Sequence, residues 1–537
     1  MVRRTVSSMS FMVATFLSAG ASWASTLSGV VSLSSGKPVA DAFVTAEDPS
    51  RKMAVSVLTD SAGHYKMAEL FPAKYLVHAR KPGYDDSAIV EIMVTERDGA
   101  VDLSLPPDDS AHLNTLGAAW LNALPNEPIK ATFVASCAGL CHDPASPLAH
   151  MPRDAAGWEA IITKMRSQSE AYATFLPMDK VKVAAFLAGN KYGTVPGALD
   201  PYAKTANVAT TARITEYETG DATSWTHDIA VDPRTAMVWV GDYGKNELIS
   251  IDPRSGQQTI YSIPIEGSGP HTLNFDREGY LWVTLQHASG VARFDTTTYK
   301  WRLYPGFPSG SLTHSFALDS EGYVKKDVRG RITLTLWGDD RIGQLDPVTG
   351  EVFVTLLPGA PTDQPYGIAM DSKGVVWYTK YTQNVLGFYN PASGEAKEWP
   401  LSHPDSGPHR MHIDDEDNLW IPLSGYGTVL RYNTIDHSQK EFPLPDADTF
   451  PYAARYDARS KRVWITGNGG NAIYALDPKT GKVTTFRMPS RLSYGRMISI
   501  DYKTGDVWTA LSSYPNKLSL RDYSLAVCIH HALDLVQ

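Results

Sequence analysis

Cys137-Ala138-Gly139-Leu140-Cys141-His142 places two thiols four residues apart, with an imidazole directly after the second. Thiols so placed can form thioethers with the vinyl groups of a haem, while His142 supplies an axial nitrogen to the iron. The spacing is C-x-x-x-C-H, one residue longer than the usual C-x-x-C-H. A local disulfide between Cys137 and Cys141 is the alternative in an oxidising compartment, but it gives His142 no task. Met151, Met165 and Met178 are the candidates for a sixth ligand, because a thioether raises the iron's potential and suits electron transfer. Met165 as simple core filler is the other reading.

A second set of residues emerges only from a repeat. From Ile214 onward, apolar strands end in Asp232, Asp276, Asp319, Asp371, Asp414, Asp457 and Asp501, at the spacing of four-stranded propeller blades. Five residues before these aspartates stand His227, His271, His314, Tyr366, His409, Tyr452 and Arg496. With 15 His in 537 residues, about 0.2 would fall at seven chosen positions, and four do. These positions open the innermost strands, so they meet at the mouth of the central channel. Neutral imidazoles there could bind Fe, Cu or Zn, or move protons. The four histidines His227, His271, His314 and His409 are the expected ligands of an additional transition metal. His271, His409, Tyr366, Tyr452 and Arg496 are the expected catalytic set. The competing account is a duplicated histidine that merely bonds a neighbouring backbone.

Positioning these residues takes three kinds of segment behind a leader. Residues 1–24 carry Arg3 and Arg4, an apolar run and small residues before a cut after Ala24, the pattern of a cleavable signal peptide. Residues 25–107 alternate apolar and polar positions as in a small antiparallel sandwich. Residues 108–193 turn helical, with Trp158, Ile161, Ile162 and Met165 spaced to share one face. Residues 194–212 form a linker, and 213–537 form a seven-bladed propeller with a longer loop around Val324 to Arg331 in blade three. The last blade lacks a fourth strand of its own, which the N-terminal strand Ile214 to Glu218 would supply, closing the ring. Trp239, Trp282, Trp377, Trp420, Trp464 and Trp508 read as core between blades.

Three resemblances follow from these residues. Gly36-Lys37-Pro38-Val39, Thr59 through Tyr65, Leu70 through Tyr75 and Gly83-Tyr84 resemble the carboxypeptidase regulatory-like domain, with Ala73 where that family usually has Gly; this implies a transthyretin-like sandwich without catalysis. The thiol motif and its helical surroundings with Trp158 resemble a small class I cytochrome c, and Trp158-x-x-Ile161-Ile162-x-x-Met165 resembles the post-motif helix of small cytochrome subunits of periplasmic oxidoreductases, which implies Met165 as the sixth ligand, with Met178 next. Gly269-Pro270-His271 through Asp295, repeated from Pro365, Pro408 and Pro451, resembles the streptogramin (virginiamycin B) lyase family. The resemblance implies opening of a cyclic depsipeptide ester with a His and a metal held by glutamates. Three residues beyond the strand Trp, however, this chain carries Asp242, Leu285, Lys380, Leu423, Gly467 and Leu511, with Leu336 aligned in blade three. Only Asp242 is acidic, so the family's metal carboxylates are missing.

A net charge of −9 offers no basic excess for a phosphate backbone, which argues against nucleic acid as a partner. The leader's apolar run of about 11 residues is too short to span a bilayer, which takes about 20, so no stable membrane insertion is expected. The expected location is the periplasm or the exterior. Near the C-terminus, Val527-Cys528-Ile529-His530-His531 reads as a strand of the final blade whose alternation points Cys528 and His531 apart.

The expected protein is therefore a multidomain, mainly β chain: sandwich, α-helical cytochrome c-like domain and seven-bladed propeller. It would carry covalent haem c, act on a small molecule at the propeller mouth and exchange electrons with a periplasmic carrier. A haem-linked oxidoreductase is favoured over a carbon-oxygen lyase, and a non-catalytic binding propeller is the third reading.

Overall fold

The computed structural model describes residues 25–82, 84–106, 116–138, 143–144, 151–167, 179–194, 208–221, 223–360, 363–446, 448–491, 493–512 and 524–531. The leader, Cys141, His142, Met178 and much of the 194–212 linker lie outside the described residues.

The repeat folds as seven four-stranded antiparallel units. Blade one runs Thr226–Val231, Val238–Asp242, Glu247–Ile251 and Gln258–Ser262, each strand pairing with the next. In blades two, four and five the aspartate that ends the innermost strand explains why a tryptophan follows six residues later. Asp276 accepts the Tyr280 amide at 2.8 Å with one oxygen and the Trp282 indole N–H at 2.7 Å with the other. Asp371 binds Val375 and Trp377 in the same way, and Asp414 binds Asn418 and Trp420. Each of these turns is thus closed by the residue that also satisfies a buried donor. The tryptophans do pack between blades: Trp239 meets Leu273 and Phe275 of blade two, and Trp508 meets Ile229 of blade one. The longer loop of blade three is held by Asp327, which accepts the amides of Arg329 and Arg331 and the Gln344 side chain.

Blade seven consists of Gly495–Asp501, Asp506–Leu511, Ser524–Ile529 and, outermost, Ile214–Thr219 from the start of the propeller. That closing strand has a second neighbour for which the repeat makes no provision. Met53–Leu58 of the sandwich pairs with it antiparallel, Met53 opposite Tyr217 and Ser56 opposite Ile214. The sheet continues through Phe43–Asp48, Ala73–Arg80 and Val90–Val94, making one eight-stranded sheet across both domains. An outer edge that would otherwise template association is thereby covered. The sandwich's other sheet holds Ser25–Leu33 and His64–Leu70, and its core includes Leu27, Val31, Val44, Met67 and Val77.

The helical segment contains Gly117–Asn122, Pro128–Phe133, a π-helical turn Val134–Ala138, Ala155–Arg166 and Lys180–Gly189. Asp154 and Asp179 cap the last two helices through amide N–H groups of the first turn, satisfying donors that a helix start leaves open. Trp158 and Ile162 pack against Val183, Ala184 and Leu187, with Ile161 at the edge. Met165, the last member of the expected face, is instead 38% exposed, because the helix ends with the next residue and nothing packs over it from this cluster. Among the described residues, no helix is long and apolar enough to cross a membrane.

Candidate functional site: an axial belt beneath a helical cap

Six belt residues are each the second residue of an innermost strand and His409 stands three residues before His412–Ile413, so the sevenfold repeat alone brings them together. His227, His271, His314, Tyr366, His409 and Tyr452 succeed one another with ring centroids 3.9, 4.3, 4.3, 4.8 and 4.2 Å apart. Arg496 completes the belt 4.9 Å over the Tyr452 ring. All seven are buried. The rings lean on one another instead of gathering their nitrogens. The group of three metal-capable donors that does converge among the described residues lies elsewhere, on blade seven. The expectation of a metal held by His227, His271, His314 and His409 therefore meets no preassembled donor set in the belt.

Two residues outside the expected set organise the belt. Arg410, next to His409, donates to Asp228, next to His227, at 2.8 Å. A second Arg410 nitrogen lies 3.1 Å from His271 Nδ1 and 3.2 Å from Thr272 Oγ1. A guanidinium can only donate, so His271 Nδ1 accepts and its proton resides on Nε2. His227 Nδ1 bonds Asp228 at 2.9 Å. Burial pushes His227 down to about 4 against the opposing pull of Asp228, and drives His271 and His314 well below the usual imidazole range. Burial acts to raise Asp228, but the Arg410 charge and the His227 bond hold its carboxyl below the ordinary value. The hydroxyls of Tyr366 and Tyr452 lie 3.2 Å apart, and burial pushes Tyr366 well up. The belt therefore presents neutral imidazoles at His227, His271 and His314, a pair of phenol hydroxyls and one internal ion pair. A signal for Arg410 and Asp228 did exist: the residues after the other belt positions are Thr272, Ser315, Gly367, Ala453 and Met497, so opposite charges at two equivalent positions stand out.

The helical segment sits on this belt. Tyr381 donates its hydroxyl to the carbonyl of Ala135, and Tyr494 to that of Ala138 at 2.9 Å. These two carbonyls bracket Cys137. Tyr381 in turn lies 4.7 Å from the His409 ring and Tyr494 6.2 Å from that of Tyr452, while Ala135 packs with Tyr366. Lys130 pairs with Asp448 at 2.5 Å, Thr132 bonds Asp405 at 2.7 Å, and the Ala118 amide bonds the Gly469 carbonyl at 2.8 Å. Gly407 has a φ of +57°, and a Cβ there would come within 3.1 Å of the Ala135 Cβ, so a side chain would crowd the cap as well as strain the backbone. Blades one and two contribute a different rim, where Tyr243 stacks edge-on to Trp225 at 5.0 Å and reaches exposed His287 at 2.5 Å.

The described part of the thiol motif suits a haem. Cys137 is partly exposed and packs at the edge of the cluster of Phe133, Trp158, Tyr192, Val183 and Leu187. Within this apolar lining the Trp158 indole N–H and the Tyr192 hydroxyl are buried without a hydrogen-bond partner among the described residues, donors that a polar edge of a bound group could satisfy. Asp143, the residue after His142, is buried against Gly117. Met165 and Met151 are both exposed. Cys141, His142 and Met178 lie outside the described residues.

Together these features define a propeller capped by helices and joined edge to edge with a sandwich. Residues 26–106 match the carboxypeptidase regulatory-like domain. Among solved structures, the propeller is similar to virginiamycin B lyase from Staphylococcus aureus, at 19% identity, a TM-score of 0.50, and coverage of 59% of this chain and 98% of that one. A streptogramin B lyase is similar at 20% identity, a TM-score of 0.50 and coverage of 59% and 97%. A catalytically inactive histidine-to-alanine variant of the S. aureus enzyme with quinupristin matches at 20%, with a TM-score of 0.50 and coverage of 59% and 98%. At these identities the likeness is one of fold. No curated protein sequence matches the chain. Where the lyase resemblance calls for metal carboxylates, Lys380 is buried and paired with Asp340 and Glu398, each at 2.8 Å, and Asp363 at 3.3 Å.

Proposed function

We propose that this chain is an exported c-type cytochrome fused to a lyase-like propeller, in which a small molecule at the propeller mouth exchanges electrons with the haem, and a periplasmic carrier takes them up when the molecule is oxidised or supplies them when it is reduced. The observation that carries this reading is the clamp: Tyr381 and Tyr494, neighbours of belt residues, bind the carbonyls on either side of Cys137. Cys137 and Cys141 would hold the haem through thioethers and His142 would ligate its iron, supplying one-electron redox chemistry when bound. Met165 would have to reach inward from an exposed position to serve as sixth ligand, and Met178 and Met151 compete with it. Beneath the cap, His409 can accept a proton that accompanies electron transfer, while His271, whose Nδ1 faces Arg410, Tyr366, Tyr452 and Arg496 can donate hydrogen bonds to a substrate oxygen. The rim of Trp225, Tyr243 and His287 offers aromatic surface to a small planar molecule on its way to the belt.

The test is the visible spectrum of purified protein, made with haem-loading machinery, before and after anaerobic addition of small phenolic and alcohol donors. Substrate-dependent reduction that is lost in His409→Ala supports the reading. A Soret band unaffected by every donor, together with cleavage of a depsipeptide such as quinupristin, would transfer the assignment to a lyase.

A further inference from the structure

Blade seven carries a cluster that neither the belt nor the cap uses. Strand pairing sets Cys528 opposite Trp508 on one side and Thr215 on the other. Asp506 begins the strand beside it, and His530 follows two residues later on the same side. Alternation along the strand turns His531 away from Cys528 and brings His530 to it.

We propose that Asp506, Cys528 and His530 form a metal site, with zinc the fitting ion, that staples the closing blade of the propeller. Cys528 Sγ lies 3.6 Å from His530 Nδ1, and His530 Nδ1 lies 3.7 Å from Asp506 Oδ2; all three donor atoms fall within 4.8 Å of one another. Ligands on a tetrahedral zinc with bonds of about 2.0–2.3 Å stand about 3.3–3.8 Å apart. The surroundings orient the donors. His530 Nε2 bonds the Thr215 hydroxyl at 2.7 Å, which leaves Nδ1 facing the cluster. The other Asp506 oxygen accepts the His531 amide at 2.7 Å, leaving Oδ2 to ligate. A thiolate, an imidazole and one carboxylate suit zinc and not magnesium or calcium. On binding, the Cys528 thiol gives its proton to water, and thiolate and carboxylate together balance the dication. Cys528 is wholly buried whereas the His530 side chain is 16% exposed, so a water would complete the coordination from the His530 side. The ligands join Asp506–Leu511 to Ser524–Ile529, and the His530–Thr215 bond ties them to Ile214–Thr219, the strand that both closes the ring and carries the sandwich.

The experiment is elemental analysis of the full-length protein from zinc-supplemented cells, with iron counted separately, and cobalt replacement followed by absorption. One zinc per chain, a thiolate-to-cobalt band in the near ultraviolet, and loss of both in Cys528→Ser and His530→Ala are expected. If those variants do not fold, the wild-type cobalt spectrum decides. Zinc retained by both variants, or wild-type protein that takes up neither ion from excess, overturns the proposal.

Discussion

Arg410 of blade five and Asp228 of blade one meet at 2.8 Å across the propeller axis, both side chains essentially without solvent contact. A pair so buried is held by geometry more than by net energy, and removing one partner strands the other charge. Arg410→Met should therefore destabilise the propeller by about 3–5 kcal/mol, while Arg410→Met combined with Asp228→Leu should recover much of that loss. Denaturant unfolding of the two variants beside the wild type checks this; equal losses in the single and double variants would show that the pair is not the element at work.

The cap depends on close approach at Gly407. Gly407→Val should lift the Val134–Ala138 turn from the belt, both by its positive φ and by collision with Ala135. Hydrogen exchange should rise in the peptides spanning 117–138 and stay unchanged in blades one to three. Tyr381→Phe with Tyr494→Phe should loosen the same peptides more mildly, since each lost hydrogen bond is worth about 1 kcal/mol.

Acid should attack the belt. The folded pKa of His227, about 4, lies below its ordinary value of 6.5, so between those values the unfolded chain binds the extra proton. Stability from this group is complete above about 6.5 and is lost as pH falls towards 4, on the order of 3 kcal/mol in all. His271 and His314 are shifted in the same direction. The melting temperature should fall between pH 6.5 and 4, and His227→Gln should make that fall shallower.

Asp340 has the opposite sign. Burial raises its carboxyl to about 7 despite the opposing Lys380, and Asp363 and Glu398 add to the rise. Here the folded state binds the proton between about 4 and 7, so this group's contribution is complete at the acid end and declines as pH rises to 7. Asp340→Asn should remove that decline, which a comparison of melting temperatures at pH 5 and pH 8 in wild type and variant would measure.

The blades were legible because an Asp closing the innermost strand and a Trp on the next recur; in blades two, four and five their spacing is fixed by one turn and one indole hydrogen bond, as between Asp276 and Trp282. The belt was legible for the same reason: equal positions in a closed ring converge. What the repeat could not convey was chemistry between unequal residues. Arg410 and Asp228 stand out as opposite charges at equivalent blade positions, but nothing in the repeat says that these two, 182 positions apart, meet each other, and the clamp of Tyr381 and Tyr494 on the cap joins segments with unrelated patterns. Pairing of Met53–Leu58 with Ile214–Thr219 was hidden too, since an alternating strand does not name its neighbour. For Met165, helical spacing indicated the correct side of the helix for Trp158 and Ile162 but not where the packing stops.

A haem carried by the segment clamped to the belt is the central claim, and the most direct measurement is peptide mapping by mass spectrometry of the full-length protein made with haem-loading machinery. The predicted result is that the peptide containing Cys137, Cys141 and His142 carries the mass of one haem bound through both sulfurs, and that Cys137→Ala and Cys141→Ala each disrupt the attachment. A peptide without haem whose two cysteines are joined as a disulfide would contradict it.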